Sequence, residues 1–461
     1  MTNLMTFPLC FTVVALLSSA LGEPVSIKRE ASERSFSILT TWVSASFTPS
    51  PDATRFAYVS KADGKVFAVV NGVEQNRYDE IATDDFIWSP NGRRLAYVAE
   101  SGGKALVVVD GNEGKPYDGV QGLTFSPDSK RIGYFAAVGG KALAAIDGNE
   151  SPPYDGIAPG LAFSPDGSRA AYAAQVGEKR FVVVDRAPQR GCDGIIKGSI
   201  LFSPDGKHIA YGAVVEKKWL VMVDGKPQAD YENVAEIVFS PDSKHLAYMA
   251  RREDKQFVVV DGNESKAYDG IIAHSLCFSP DSRQVAYVAG IGDRRFAVID
   301  QKEKKAYDAV TFGPIFSPDG QHVAYGARSG SKMLMVCDDK EGPAYDGVGE
   351  GSVTFSPNGR HLAYAAHNGR DWFMVVDGKL GKPYQGIGKS AWSLDGELLA
   401  YHAGKDGKSI IVVGETESKS YDRILTHKNG RIVFGAGNTL RYLAGTGFSV
   451  FAIEERVTST K

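Results

Sequence analysis

The chain has 461 residues, 43% hydrophobic and 23% charged, which is the balance of a folded globular protein and not of a disordered one. Its formal net charge of -3 carries no basic excess of the kind that marks a nucleic-acid binder. Glycine is abundant, 51 of 461, as expected where many tight turns are needed.

The first element is the apolar run "FPLCFTVVALLSSALG", which ends in small residues. Ala20-Leu21-Gly22 fits a small-x-small cleavage site, so residues 1–22 read as a secretory signal peptide and Glu23 as the start of an exported chain. Residues 1–6 carry no Lys or Arg, and the competing reading is an uncleaved anchor. The run is short for a bilayer span. No other stretch is apolar enough to cross one, so the expectation is a periplasmic or extracellular protein with no stable membrane span after cleavage. Residues 23–41 form an N-terminal segment, and within it "SFSILTT" (35–41) reads as a strand.

From residue 42 to 457 the chain repeats, leaving 458–461 as a tail. The proline of an S-P-[DN] phrase falls at Pro51, Pro90, Pro127, Pro165, Pro204, Pro241, Pro280, Pro318 and Pro357, and Leu394 takes its place once. The period is about 38 residues, the scale of a propeller blade. A second marker, a Y-D-G-like tripeptide, begins at Tyr78, Tyr117 and Tyr154 in the first three units, with Cys192 in place of Tyr in the fourth. Its spacing from the first marker is identical in all ten units. The length variation lies between the second marker and the next first marker, short from Tyr117 to Pro127 and longer from Cys192 to Pro204.

Each unit reads as four short strands. In the unit from Leu123 they are of the type "LTFSPD", "RLAYVA", "ALVVVDG" (from Ala105 in the preceding unit) and "KPYDGV" (from Lys115), rich in β-branched and aromatic residues. Pro followed by Asp or Asn and then Gly or Ser is turn chemistry. "DGN" and "DGK" match two-residue hairpins. Four antiparallel strands per ~38 residues, repeated, predict an all-β β-propeller. An eleventh unit, "NTLRYLAGTGFSVFAIEERV" (438–457), aligns Tyr442 with Tyr97 and has three strands but no fourth. The strand at 35–41 is expected to complete it, because an open edge on the last blade invites aggregation. The units close as one wide ring or as two smaller rings; the repeat alone fits both.

The S-P-D-G-K-x-h-A-Y phrase, carried by Ser126-Pro127-Asp128, Ser164-Pro165-Asp166-Gly167, Ser203-Pro204-Asp205-Gly206-Lys207 and their counterparts, resembles the TolB-type, WD40-like (PD40) propeller repeat. The resemblance covers residues 42 to about 456. It implies the architecture, and in such proteins partner binding or the gating of an attached hydrolase; this sequence holds no stretch left over for a hydrolase domain. Fold does not carry function.

The search for chemistry finds little. G-x-S-x-G, H-E-x-x-H, paired C-x-x-C, the P-loop and the dinucleotide fingerprint are all absent from the sequence. No catalytic residue, metal ligand or cofactor is therefore assigned, and the chain is read as a non-enzyme. His208, His245, His322 and His361 share one slot with Arg55, Arg94, Arg131, Arg169 and Gln284, which marks a solvated face. The recurring Tyr-Asp is read as packing and turn shaping. The aromatics at Phe125, Phe163, Phe202, Phe239, Phe278, Phe316, Phe355, Trp88 and Trp392 are read as core. Cys192, Cys277 and Cys337 are too irregularly placed for a disulfide framework and read as small buried hydrophobes.

The segments that vary in length are the candidate binding surface, since binding residues sit on loops held by a rigid scaffold. They carry Asp84, Asp85, Gln121, Lys197, Glu236, His274, Glu350 and Lys389. The leading expectation is an exported scaffold that binds a protein partner through this face. The alternatives are a glycan or small-molecule binder, or a propeller lyase or hydrolase with its site at the channel mouth.

Overall fold

A computed structural model describes residues 12–19, 22–38, 41, 43, 46–349, 351–425 and 431–460. The fold is an all-β propeller of eleven blades, each built on a four-stranded antiparallel sheet. The chain divides into two compact units, Met1–Leu95 with Tyr345–Lys461, and Ala96–Ala344.

In the second unit the blade that contains Pro127 shows the pattern. Its strands are Gly119–Phe125, Ile132–Val138, Lys141–Ile146 and Asn149–Glu150, paired in that order. The S-P-D turn between the first two is locked from inside. Ser126 is fully buried, and its Oγ donates to Oδ1 of Asp128 at 2.5 Å while accepting the Arg131 N–H at 2.9 Å. Asp128 Oδ1 also accepts the Lys130 N–H, an Asx turn. The same serine is fully buried at 164, 203, 240, 279 and 317.

The fourth strand differs from expectation. It begins earlier, at the hairpin after the third strand, and ends at the Tyr marker: Tyr117 bridges Ala105, and Tyr154 bridges Ala142. Gly119 and Val120, assigned from sequence to the end of the fourth strand, pair instead with Ala137 and Ala136 as the start of the next blade. Asp118, between Tyr117 and Gly119, is where the chain crosses from blade to blade.

The core lies between successive blades. One cluster joins Ala171, Val182 and Val184 of one blade to Ile209, Tyr211 and Leu220 of the next. Cys192 is buried in that cluster at the Tyr slot, whereas Cys277 and Cys337 are half-buried, and none of the three is in a disulfide. The aromatic slot is less buried than a core. Phe125 and Phe202 are buried, but Phe163, Phe239, Phe278 and Phe316 keep partial exposure. At two rings of the slot a cation from the preceding blade lies over the face: the Arg131 guanidinium is 5.5 Å from the Phe163 ring and that of Arg169 5.1 Å from Phe202.

In the first unit the N-terminal strand completes the last blade. Ser26–Ser37 pair with Ser449–Thr460, from Ser26↔Thr460 to Ser37↔Ser449. The closing strand is thus longer than the expected 35–41, and its pairing starts at Ser26. Residues 39 and 40 of the expected stretch lie outside the described residues. The final strand runs to Thr460, past the boundary expected at 457. Within the expected leader, Thr12–Ser19 pairs with the other edge of the closing strand, Thr12 against Glu30 and Ser19 against Gly22. Among the described residues no helix is long and apolar enough to cross a membrane.

Candidate binding surface

Hydrogen bonds sort each blade's turns into two sets. On one side the S-P-D turn meets the D-G turn. Nδ1 of His208 lies 2.7 Å from Oδ2 of Asp224, and Nδ1 of His245 lies 2.6 Å from Asp261. Arg131 and Arg169 make the equivalent bonds to Asp147 and Asp185 at 2.8 Å. The slot is only partly the solvated face expected: His208 is exposed, whereas His245, Arg131 and Arg169 are half-buried, and each of these side chains has a structural partner. The other oxygen of each Asp accepts a strand N–H, as from Ile132 to Asp147 at 2.9 Å.

On the other side the Tyr-Asp marker meets the hairpin between the second and third strands. Asp118 takes the Lys104 ammonium of its own blade on Oδ1 and the Gly139 N–H of the next blade on Oδ2. Asp155 does the same with Lys141 and Gly177, and Asp269 with Lys255 and Gly292. These paired bonds hold each carboxyl below the usual aspartate range. The tyrosine packs edge-on against the A-Y tyrosine of the next blade, as Tyr268 does on Tyr287 at 6.1 Å. Its hydroxyl reaches a glutamate there: Tyr117 to Glu150 at 2.9 Å, Tyr307 to Glu341 at 2.7 Å. Sequence reasoning missed these glutamates. Their signal is a Glu in the hairpin after the next unit's third strand, of the D-G-N-E kind at Glu150, which recurs at a nearly fixed distance behind the tyrosine. The repeated ionisable residues are therefore engaged in blade construction.

The variable connections share the side of the Tyr-Asp marker. Their shapes differ, and not by length alone, since the connection after Tyr78 is as long as that after Cys192 yet runs as one strand, Glu80–Trp88. The short connections after Tyr117 and Tyr231 make a continuous first strand with a bulge, at Gln121/Thr124 and Ala235/Val238. The longer ones after Cys192, Tyr268 and Tyr345 arch away, splitting the strand. A serine repairs each arch: Ser199 Oγ donates to Ile196 O and accepts the Gly212 N–H, and Ser275 Oγ donates to Ile272 O and accepts the Val288 N–H.

The residues singled out from sequence fall into three situations. Gln121 is exposed on its own bulge, while in the first unit Asp84 and Lys389 are exposed and Asp85 is half-buried; Glu350 lies outside the described residues. Lys197 is exposed beside a hollow of about 210 Å³ that two successive connections build from Ala158, Leu161, Ala162, Ile195, Ile196 and Ile200. Glu236 and His274 meet directly. Oε2 of Glu236 accepts the His274 N–H at 2.7 Å and Oε1 the Leu276 N–H at 3.0 Å. Burial raises the Glu236 carboxyl, against the two N–H donors and His274, which lower it. The hollow's apolar walls were not foreseen, because small apolar residues in a loop read as ordinary strand.

A larger groove of about 700 Å³ lies on the opposite side, between the blades of Pro241 and Pro280, lined by residues that include Asp261, Asp281, Asp300, Arg283 and Phe278. Among the described residues no group of three or more His, Cys, Asp or Glu side chains is arranged to hold a metal ion.

No protein-family model matches the sequence, and no curated protein matches it. Solved β-propellers resemble it in fold. The β-propeller domain of the Trilobed protease from Pyrococcus furiosus is 16% identical over 57% of this chain and 97% of that one, with a TM-score of 0.30. TolB from Acinetobacter baumannii is 14% identical over 64% of this chain and 77% of that one, with a TM-score of 0.24. The dihydro-heme d1 dehydrogenase NirN is 14% identical over 73% of this chain and 74% of that one, with a TM-score of 0.34.

Proposed function

We propose that this chain is an exported, non-enzymatic scaffold that binds a protein partner through the face of its variable connections. The observation that carries the reading is the hollow between the connections at Ala158–Ala162 and Ile195–Ile200. It is apolar, it sits on the segments whose length varies, and Lys197 gives its rim a charge. Val138 and Val176, 45% and 52% exposed, stand on the neighbouring hairpins of the same side. An apolar patch with a polar rim suits a protein surface. At about 210 Å³ the hollow is below the usual range of small-molecule pockets, about 300–1,000 Å³. The carboxylates and histidines that catalysis would call on hold turns and blades together.

Export fits the position of the closing strand. Ile27, Arg29 and Phe36, which the closing strand buries, all follow Gly22, so removal of residues 1–22 keeps the pairing of Ser26–Ser37 with Ser449–Thr460 and takes away only the Thr12–Ser19 strand at the other edge.

The test is a paired pull-down from envelope and medium fractions with mature chain 23–461 and a Val176→Asp, Lys197→Glu double variant. A partner recovered by the first and lost with the second supports the reading. Recovery of nothing, or of the same proteins by both, sinks it.

A second reading is a glycan binder using the groove of about 700 Å³, whose Asp281, Asp300 and Phe278 suit sugar hydroxyls and a sugar face. A glycan array and thermal shifts with sugars test it, and silence in both removes it.

A further inference from the structure

Two residues of the variable connections hold a backbone conformation that L side chains adopt at a cost. Glu236 has φ 48° and His274 has φ 62°. Both occupy positions where sister units place glycine. Counted from the Tyr marker, Glu236 stands where the unit after Tyr117 has Gly122, φ 68°. On the same count, His274 stands where the units after Cys192 and Tyr345 have Gly198 and Gly351, φ 73° and 72°. Non-glycine residues held there are strained and persist when the surroundings hold them. Here each is held by the other, through the carboxylate bonds to the N–H groups of His274 and Leu276.

The arch is gripped from its far side as well. Ser275 Cα lies 3.0 Å from where a Cβ on Gly313 would stand, and the Cys277 thiol donates to Pro314 O at 3.3 Å. In the units of Ser199 and Ser352 the arch is repaired by serine with a glycine before it. Among the described residues of these arches, only the Glu236 and His274 pair adds an anionic clamp from the preceding blade.

We propose that the Glu236 carboxylate is a positioning latch: it fixes the His274 arch on the variable-connection face while ionised, and protonation releases that arch. A charged oxygen pair serves both N–H donors, and a neutral acid serves them more weakly. The titratable groups facing Glu236 are His274 and Cys277. Cys277 does not compete, since burial pushes its thiol up to about 12. The latch is built at a cost. Burial raises the Glu236 carboxyl above its usual value, so the folded chain binds this proton more tightly than the unfolded chain. The contribution of this group to global stability therefore falls as pH rises through its titration, while the arch becomes better fixed.

The inference rests on the proposed binding face for its consequence alone; its measurement needs no partner, so a failed pull-down leaves it standing. Amide exchange, corrected for intrinsic rate, is followed for residues 272–276 between pH 8 and pH 4 in the wild-type chain, Glu236→Gln and His274→Asn. Asparagine tolerates the left-handed conformation, so His274→Asn keeps the arch. The wild type is expected to protect the amides of residues 274 and 276 at pH 8 and to lose at least tenfold on acidification. His274→Asn should follow the wild type. Glu236→Gln should be at least tenfold less protected at pH 8, flat with pH, and melt no lower than the wild type at neutral pH. Wild-type protection in Glu236→Gln overturns the latch. So does a pH dependence that survives in Glu236→Gln and vanishes in His274→Asn, or no pH dependence in the wild type.

Discussion

The hydroxyl of Tyr421 donates a 2.6 Å hydrogen bond to Oε1 of Glu33, 388 positions earlier in the chain. The bond repeats, between the tenth blade and the closing N-terminal strand, what Tyr117 does with Glu150 and Tyr307 with Glu341. Lys419 binds Glu33 as Lys115 binds Glu150. The N-terminal strand thus supplies the last blade with the fourth-strand glutamate that these tyrosine markers bind. Closure is chemical imitation of the repeat and not only edge pairing.

Arg29 has no counterpart in that repeat and marks the closure as special. Its guanidinium and the Glu455 carboxylate are 2.6 Å apart and both almost fully buried, and Nη1 donates to Ile411 O and Thr416 O. Tyr442 also donates to Glu455. Removing one partner strands a buried charge, which costs about 3–5 kcal/mol. Arg29→Ala is expected to lower the thermal midpoint strongly and to raise exchange of the 27–36 amides. The Arg29→Met, Glu455→Leu double variant should recover most of the loss. Equal destabilisation by both would show that the pair matters for shape and not for charge compensation.

Acid sensitivity should come from the S-P-D turns. Hydroxyl donation from Ser164, then from Ser168, and then the Ser168 N–H hold Asp166 down to about 2. Asp128, Asp242, Asp281 and Asp319 are lowered by the same turn geometry. For a depressed carboxyl the stabilisation is full above the unfolded value near 4 and disappears as pH falls through the folded value. Stability is expected to drop between about pH 4 and pH 2. Asparagine fills this slot naturally at Asn91 and Asn358, where it accepts from Ser89 at 2.8 Å and Ser356 at 2.6 Å. Asp166→Asn should therefore fold normally at pH 7 and show a shallower acid transition by circular dichroism. An unchanged transition would place the acid sensitivity elsewhere.

The Cys277 thiol, pushed up to about 12 by burial and then by the Glu236 charge, is expected to stay unreactive in the folded chain. At pH 8 an alkylating reagent should label it at least tenfold more slowly than in denaturant, with mass spectrometry of the 277-containing peptide as the readout. Fast labelling under native conditions would mean that the segment opens.

How much of this the sequence disclosed follows from what repeats. Pro127 and its counterparts set blade number and turn chemistry because a turn is local. Closure was foreseen, but its start was not: Ser26 to Arg34 are mostly polar and give no strand pattern within the N-terminal segment until Ser449–Thr460 is placed beside them. The aromatic slot was read as core because hydrophobicity is visible in sequence, whereas the Arg131 cation over Phe163 is a contact between units. The same holds at the surface. Glu236 and His274 both stood out as variable-connection residues, yet their bond depends on two left-handed backbones 38 positions apart. The apolar hollow was hidden for the opposite reason, since Leu161 and Ile196 look like any strand residue.

That hollow gives the sharpest test of the binding face. A Cβ on Gly212 would lie 2.3 Å from Ile196 Cδ1, far inside contact distance. Ile196 forms part of the wall, so Gly212→Ala must push it outward or strain the second strand Ile209–Val215. Overpacking of this kind costs about 1–3 kcal/mol. At Gly262, away from the hollow, nothing lies within 4 Å of an added Cβ, but its φ is 82°, so Gly262→Asn, which tolerates that conformation, should leave both stability and hollow unchanged. Gly212→Ala is expected to reduce partner recovery at least tenfold, while Gly262→Asn keeps it, both scored beside a melting curve. If Gly212→Ala melts lower yet binds as the wild type does, the hollow is a packing feature and the exposed Val138 and Val176 hairpins become the surface to vary.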